Sequence, residues 1–144
     1  MKLFTLGFSR KSAEAFFGLL KNPEITRLVD IRLNNVSQLA GFTKKNDLRY
    51  FVRALTGRDY LHLPLLAPSK EILDTYRKRG GGWAEYERRF LALLKQRRIE
   101  GKVPKATLAG ACLLCSEATP ERCHRRLVAE YLRDRWRGVE IVHL

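Results

Sequence analysis

Ala109-Gly-Ala-Cys-Leu-Leu-Cys115 is an unbroken run of small and apolar residues with no polar face. A strand that does not alternate is buried on both sides, as inner strands are in a parallel sheet covered by helices. Working outward, other runs of the same kind appear. Leu3-Phe-Thr-Leu6 is ended by Gly7, Arg27-Leu-Val-Asp-Ile31 follows, Tyr60-Leu-His-Leu63 is stopped by Pro64, and Val139-Glu-Ile-Val-His-Leu144 closes the chain. Helical spacing separates them. Ser12 precedes Ala13, Phe16, Phe17 and Leu20, with Glu14 in the first turn and Asn22-Pro23 as the stop. Leu48, Phe51, Val52 and Leu55 mark a second helix closed by Gly57. Ile72, Leu73 and Tyr76 mark a third, ending at Gly80-Gly-Gly82, and Trp83, Tyr86, Phe90, Leu93 and Leu94 a fourth. Thr119-Pro120-Glu121 has the composition of a helix start, and that helix continues through Leu127, Val128, Tyr131 and Leu132 to Gly138. Residues 33 to 43, which include Ser37 and Gly41, lack periodicity and are expected to form a long loop. Strands alternating with helices predict an α/β fold: a single domain with a mostly parallel sheet of about five strands flanked by helices.

A chain of 144 residues, 45% of them apolar, fits one domain with one core. No window approaches the length of a membrane span, and the first residues are too short and wrongly ordered for an export signal, so a cytoplasmic protein is expected. The three cysteines, at 112, 115 and 123, are too few and odd in number for a secreted disulfide scaffold, and are expected to be thiols. The formal charge of +13 favours anionic partners, either a small molecule or nucleic acid, and says nothing about chemistry or oligomeric state.

Ligands of open parallel sheets sit beyond the carboxyl ends of the strands. That edge should collect Gly7 and Ser9 with Arg10, Asp30 and Arg32, His62, and Cys115 with Glu117. In the last helix His124 lies three and four residues before Leu127 and Val128, so it points toward the sheet with Cys123 and Arg125 on its flanks. The free N–H groups of a helix start favour an anion there, and neighbouring Arg or His⁺ favours a thiolate. The bland alternative is that Cys123 packs as a small hydrophobe and His124 caps a strand carbonyl. A cysteine-phosphatase loop needs Cys-x5-Arg. From Cys115 to Arg122 six residues intervene, and Pro120 and Glu117 occupy the loop in place of a glycine-rich cradle. Cys112 and Cys115 form a C-x-x-C inside a strand, where their side chains face opposite ways, so that pair predicts no zinc site. Cys115, Cys123, His124 and a distant His62 are the combination left for an open site, and thiol–disulfide exchange between Cys115 and Cys123 is a further chemistry that their geometry would decide. No metal or cofactor is assigned. Trp83, Tyr86 and Phe90 are expected in the core, and His143 on a fraying surface.

Thr5-Leu-Gly-Phe-Ser9, Val29-Asp-Ile-Arg32, Tyr60-Leu-His-Leu-Pro64 and Leu113-Leu-Cys-Ser-Glu117 with Cys123-His-Arg125 together resemble the family called DUF488. The resemblance runs over essentially the whole chain, and the Cys-x-Glu…Cys-His-Arg block is its most specific part. It implies an α/β domain and a shared polar cluster at those positions, and no particular activity. Phe8 stands where many members place His, and Leu65-Leu-Ala-Pro68 where Leu-Gly-Gly is common; the segment 33 to 46 looks like a subgroup feature.

These features favour a small cysteine-dependent enzyme acting on an anionic substrate such as a nucleotide or a nucleic-acid phosphate. Cys115 or Cys123 would be the nucleophile, Glu117 or His124 the proton handler, and Arg32 and Arg125 the anion clamp. Ser9, Arg10, Asp30 and His62 would complete the anion-binding rim. Two other functions fit the same residues. One is a non-catalytic nucleic-acid-binding module using the arginine-rich segment 122 to 137 and Lys44-Lys45; the other is a ligand-sensing or regulatory domain.

Overall fold

The computed structural model describes residues 1–36 and 41–144. Five strands, β1 (Lys2–Gly7), β2 (Arg27–Asp30), β3 (Asp59–His62), β4 (Ala111–Cys115) and β5 (Glu140–His143), lie in one sheet. Their order is β3-β2-β4-β1-β5, and every pairing is parallel. The apolar run that predicted an inner strand is the central one, buried along all of β4.

Helices cover both faces. On one, α1 (Ala13–Leu20) and α2 (Lys45–Thr56) bury Phe16, Phe17, Leu20, Leu48 and Val52 against Phe4, Leu6, Leu28, Cys112 and Leu114. The other carries α3 (Lys70–Arg77), α4 (Trp83–Arg97), the short α5 (Ile99–Lys102) and α6 (Lys105–Leu108), and α7 (His124–Arg135). There Phe90, Leu94, Leu127, Val128 and Leu132 pack on Leu3, Val29, Ala111 and Leu113. The short helices α5 and α6 have four residues each, too few to print a periodicity on the sequence. Alternation along β4 sends Cys112 to the first face and Cys115 toward α7. Of the loop expected over 33–43, Gly41–Thr43 form a 3-10 turn and Ser37 lies outside the described residues. His143 does not fray: β5 pairs with β1, and His143 Nδ1 lies 2.6 Å from the Oγ1 of fully buried Thr5.

The last long helix begins later than its sequence predicts. Thr119 and Pro120 lie in the preceding loop, and Cys123 is the N-cap, its Sγ accepting from Arg125 N at 3.5 Å. The reason is competition for carbonyls. Arg125 donates to the oxygens of Glu117 (2.6 Å) and Ala118 (3.5 Å), and Arg126 to those of Pro120 and Glu121 (3.2 Å each). A helix capped at Thr119 would need the carbonyls of Pro120 and Glu121 for the N–H groups of residues 124 and 125; Arg126 engages both, and capping propensity at Thr119 is overridden.

Two contacts fix the strand ends. At β2, Arg32 clasps Asp30 through Nε–Oδ1 and Nη2–Oδ2 bonds of 2.8 Å each, Tyr60 donates to Oδ2, and Arg32 Nη2 also reaches Thr43 O at 2.7 Å. The side chains are 0% and 6% exposed, so the pair is dry. At β1, Gly7 lies against the loop that follows β4. A Cβ at this position would overlap the Glu117 carbonyl oxygen and come within 2.8 Å of Arg125 Nη1.

Burial by itself would raise the Asp30 carboxyl, but the hydrogen bonds and charge of Arg32, joined by Tyr60, outweigh it and hold the group below its usual range. A carboxyl lowered on folding stabilises the protein above its unfolded value of about 4, and that stability is lost as pH falls through the folded value. Arg32→Leu is therefore expected to cost about 3–5 kcal/mol at neutral pH by leaving a buried charge unpaired. The deficit, read by urea unfolding, should shrink as pH falls from neutral, because burial raises the unpaired Asp30 of the variant and it takes up a proton that the wild-type carboxyl, held low by Arg32, still refuses. Gly7→Ala should cost about 1–3 kcal/mol by overpacking, with loss of order at residues 117–118 measurable by hydrogen exchange.

Candidate active site

β1 and β4 are neighbours, yet their chains leave to opposite faces, β1 into α1 and β4 toward α7. A crevice opens between two such loops at the carboxyl edge of a sheet. Here it is a cleft of about 860 Å³. Its floor holds Cys115, Ser116, Cys123 and His124; Ser9, Arg10 and Lys11 form one wall, and Tyr76, Arg77 and Trp83 another.

The floor is organised by Arg125, which is 0% exposed. Its Nη1 donates to Cys115 Sγ at 3.6 Å, to Cys123 Sγ at 3.5 Å and to Glu117 O at 2.6 Å. No carboxylate pairs with it among the described residues, and its Nε has no partner there. The contrast with Arg32, the other buried arginine, is direct: one guanidinium has an aspartate, the other has two sulfurs. Cys115 and Cys123, expected from the sequence to be thiols, are paired as a disulfide with Cα atoms 7.6 Å apart, so a thiolate and a thiol face Arg125 only when that bond is reduced. Cys112 is buried on the opposite face, where desolvation pushes its thiol up.

His124 Nε2 lies 2.7 Å from Ile31 O. A carbonyl only accepts, so Nε2 carries the hydrogen and the Nδ1 lone pair stays free. Burial is the main reason the imidazole falls to about 4, against the raising effect of that hydrogen bond, so it is neutral near pH 7. Cys115, Cys123 and His124 offer three donor atoms within 4.8 Å of one another, a set able to hold a thiophilic cation with one side open to the cleft. Charge balance opposes this: a divalent ion with two thiolates is already neutral, and Arg125 would remain uncompensated.

Of the residues the sequence pointed to, Ser9, Arg10, Arg32, Cys115, Glu117, Cys123 and His124 line the cleft. Asp30, His62 and Arg125 sit behind its lining: Asp30 under Arg32, His62 with Nε2 2.9 Å from Arg32 O, and Arg125 beneath the cysteines. His62 is not part of the three-donor group. Arg32 and Arg125, expected to clamp an anion, are both committed to protein acceptors. The cations that face solvent along the cleft are Arg10, Arg77 and Arg122. Arg10 has φ 62°, a left-handed conformation uncommon for a side chain of its kind. Glu117 is 55% exposed at the rim, its Oε1 4.0 Å from Arg77. Phe8 also lines the cleft, its ring centroid 5.3 Å from the Arg32 guanidinium carbon. Sequence spacing assigned Trp83 and Tyr86 to the core. Tyr86 is buried, but both line the cleft, stacked with centroids 5.0 Å apart beside Tyr76. Helical periodicity marks such a stripe as inward-facing without distinguishing a core from a cleft wall.

Comparison with known proteins adds one relationship. The family described as "Domain of unknown function DUF488" matches residues 12–132, which takes in the Asp30, His62 and Cys115–Arg125 motifs. No curated protein and no solved structure matches. With most of the sequence covered, the chain belongs to the DUF488 family.

Proposed function

We propose that this chain is a small cysteine-dependent enzyme acting on an anionic substrate, a nucleotide or a nucleic-acid phosphate, with Cys123 as its nucleophile. The observation that carries this is the buried Arg125 guanidinium with no carboxylate among the described residues and two cysteine sulfurs in reach. An uncompensated charge in a dry interior costs several kcal/mol, and one thiolate removes that cost. Cys123 is favoured as its location because it also accepts from Arg125 N at the helix start. A nucleophile already ionised needs no general base. Neutral His124 then orients the floor through Ile31 O, and Glu117, open to solvent, is the group free to exchange a proton with a bound substrate.

The basic rim and the aromatic wall support the substrate class. Arg10, Arg77 and Arg122 attract phosphate, and Trp83 with Tyr76 offers flat surface to a base. A binding module that uses the arginines of α7 draws less support from the contacts. Arg126 pairs with Glu87 and Glu130, Arg135 with Glu100, and Arg133 with Asp134, so each of these cations already has a carboxylate beside it.

Iodoacetamide near pH 6 should label Cys123 first and leave Cys112 silent until the protein is unfolded; equal, slow labelling of every thiol would sink the nucleophile. Nucleoside phosphates should quench Trp83 fluorescence, with affinity falling as salt is added. The double variant Arg77→Ala/Arg122→Ala should weaken binding roughly five- to thirtyfold, two screened contacts of about 0.5–1 kcal/mol each. Unchanged affinity in that variant would remove the rim from the substrate's path.

A further inference from the structure

Attack by one sulfur leaves the second without a role. Cys123 Sγ receives two N–H groups, from Arg125 N at 3.5 Å and Nη1 at 3.5 Å, whereas Cys115 Sγ receives one, from Nη1 at 3.6 Å. In the reduced pair the extra donor makes Cys123 the better-stabilised site for a thiolate, and Cys115 the one to keep its proton. Both belong to the same cleft floor, 1% and 2% exposed, and their sulfurs touch across a loop of eight-residue separation. A paired thiolate and thiol at the bottom of an open cleft can do what a lone nucleophile cannot, because a covalent adduct on one sulfur lies within reach of the other.

We propose that Cys123 and Cys115 are an attacking and a resolving thiol, and that the cleft exchanges electrons with a small anionic disulfide. This rests on the thiolate assigned above and adds a second chemistry to it. In the first step the Cys123 thiolate attacks one sulfur of the substrate disulfide; the new S–S bond forms as the old one breaks, and half of the substrate leaves as a thiolate. In the second, Cys115 attacks Cys123 Sγ and gives up its proton. The Cys115–Cys123 bond forms, the mixed disulfide breaks, and the remaining half leaves as a thiol carrying that proton. The substrate gains two electrons and the cysteine pair loses two, so no other reactant is needed.

Arg125 also sets the direction of the equilibrium. In the oxidised pair neither sulfur is charged, and the guanidinium stays buried without its counter-charge. The reduced pair is therefore the stabilised one, which makes the oxidised pair readily reducible by a thiol donor. The sulfurs face only the cleft, so the disulfide must be small enough to enter, and the exposed Arg10, Arg77 and Arg122 select one that carries carboxylates.

The test uses glutathione disulfide as the anionic probe and cystamine as a cationic one, with acid quenching, alkylation and mass spectrometry of the whole chain. Wild-type protein should pass to an internal Cys115–Cys123 disulfide, Cys115→Ser should stop as a mixed disulfide on Cys123, and Cys123→Ser should react at least about tenfold more slowly. Cystamine should react more slowly than glutathione disulfide in low salt. In glutathione redox buffers, Arg125→Met should favour the internal disulfide by on the order of tenfold, the value of one charge-assisted hydrogen bond, while Arg125→Lys lies between. The proposal is overturned if wild-type protein stays reduced in excess glutathione disulfide, if Cys115→Ser yields no mixed disulfide, or if Cys123→Ser reacts at the wild-type rate. Equal rates with both probes overturn the anionic preference. Selective alkylation of Cys123 near pH 6 without any internal disulfide would remove this inference and leave the nucleophile standing; failure of the alkylation removes both.

Discussion

A guanidinium group taken out of water needs acceptors for its donors and a charge to balance its own. Arg125 is fully buried, and the fold around it is arranged to meet that requirement. Its donors draw in the carbonyls of Glu117 and Ala118, which bends the segment after β4 into a loop and delays α7 until His124. Gly7 lacks the Cβ that would fill the same space, so β1 can pass beneath that loop. Cys115 arrives at the end of β4 and Cys123 at the cap of α7, and both sulfurs meet Nη1. Removing the arginine would take away the common partner of one strand end, one loop and one helix start.

The two buried arginines divide the labour of the cleft. Arg32 is balanced by Asp30, with Tyr60 and Thr43 completing its shell, and this neutral knot fixes the end of β2 and carries the Phe8 ring. Arg125 has no such carboxylate among the described residues, and the balance falls to groups that can gain or lose a charge. A carboxylate pair is structural because it stays ionised across the physiological range. Sulfur can be protonated, alkylated or oxidised, and so turns the same electrostatic demand into reactivity. His124 stays neutral between them, its orientation set by Ile31 O.

Much of the fold was legible in local pattern. The non-alternating run at 109–115 marked the central strand, and Phe16, Phe17 and Leu20 at helical spacing marked α1, because burial on two faces and burial on one stripe leave different periods. The four-residue helices α5 and α6 left no period to read. The start of α7 was misplaced because Thr119-Pro120 is a good cap by composition, and only the contacts of Arg126 with the carbonyls of 120 and 121 show why it is not used. The strand-end rule gathered Ser9, Arg32, Cys115 and Glu117 at one cleft, and the apolar stripe of the last helix added Cys123 and His124. It could not separate lining from support: Asp30, His62 and Arg125 stand behind the surface, and Trp83 and Tyr86 stand on it.

By itself the sequence determined the alternation of strands and helices, the opposite facing of Cys112 and Cys115, and the gathering of cysteine, histidine and charged side chains near the carboxyl edge. Those properties depend on period and on neighbours within a few residues, which are written in the chain in order. Only the tertiary structure decided that β4 lies between β1 and β2, that Arg125 turns inward beneath two cysteines while Arg77 and Arg122 turn out, and that an aromatic stripe faces a cleft. Each of these is a matter of which distant group occupies a given volume, and desolvation assigns roles to charges only after that volume is closed.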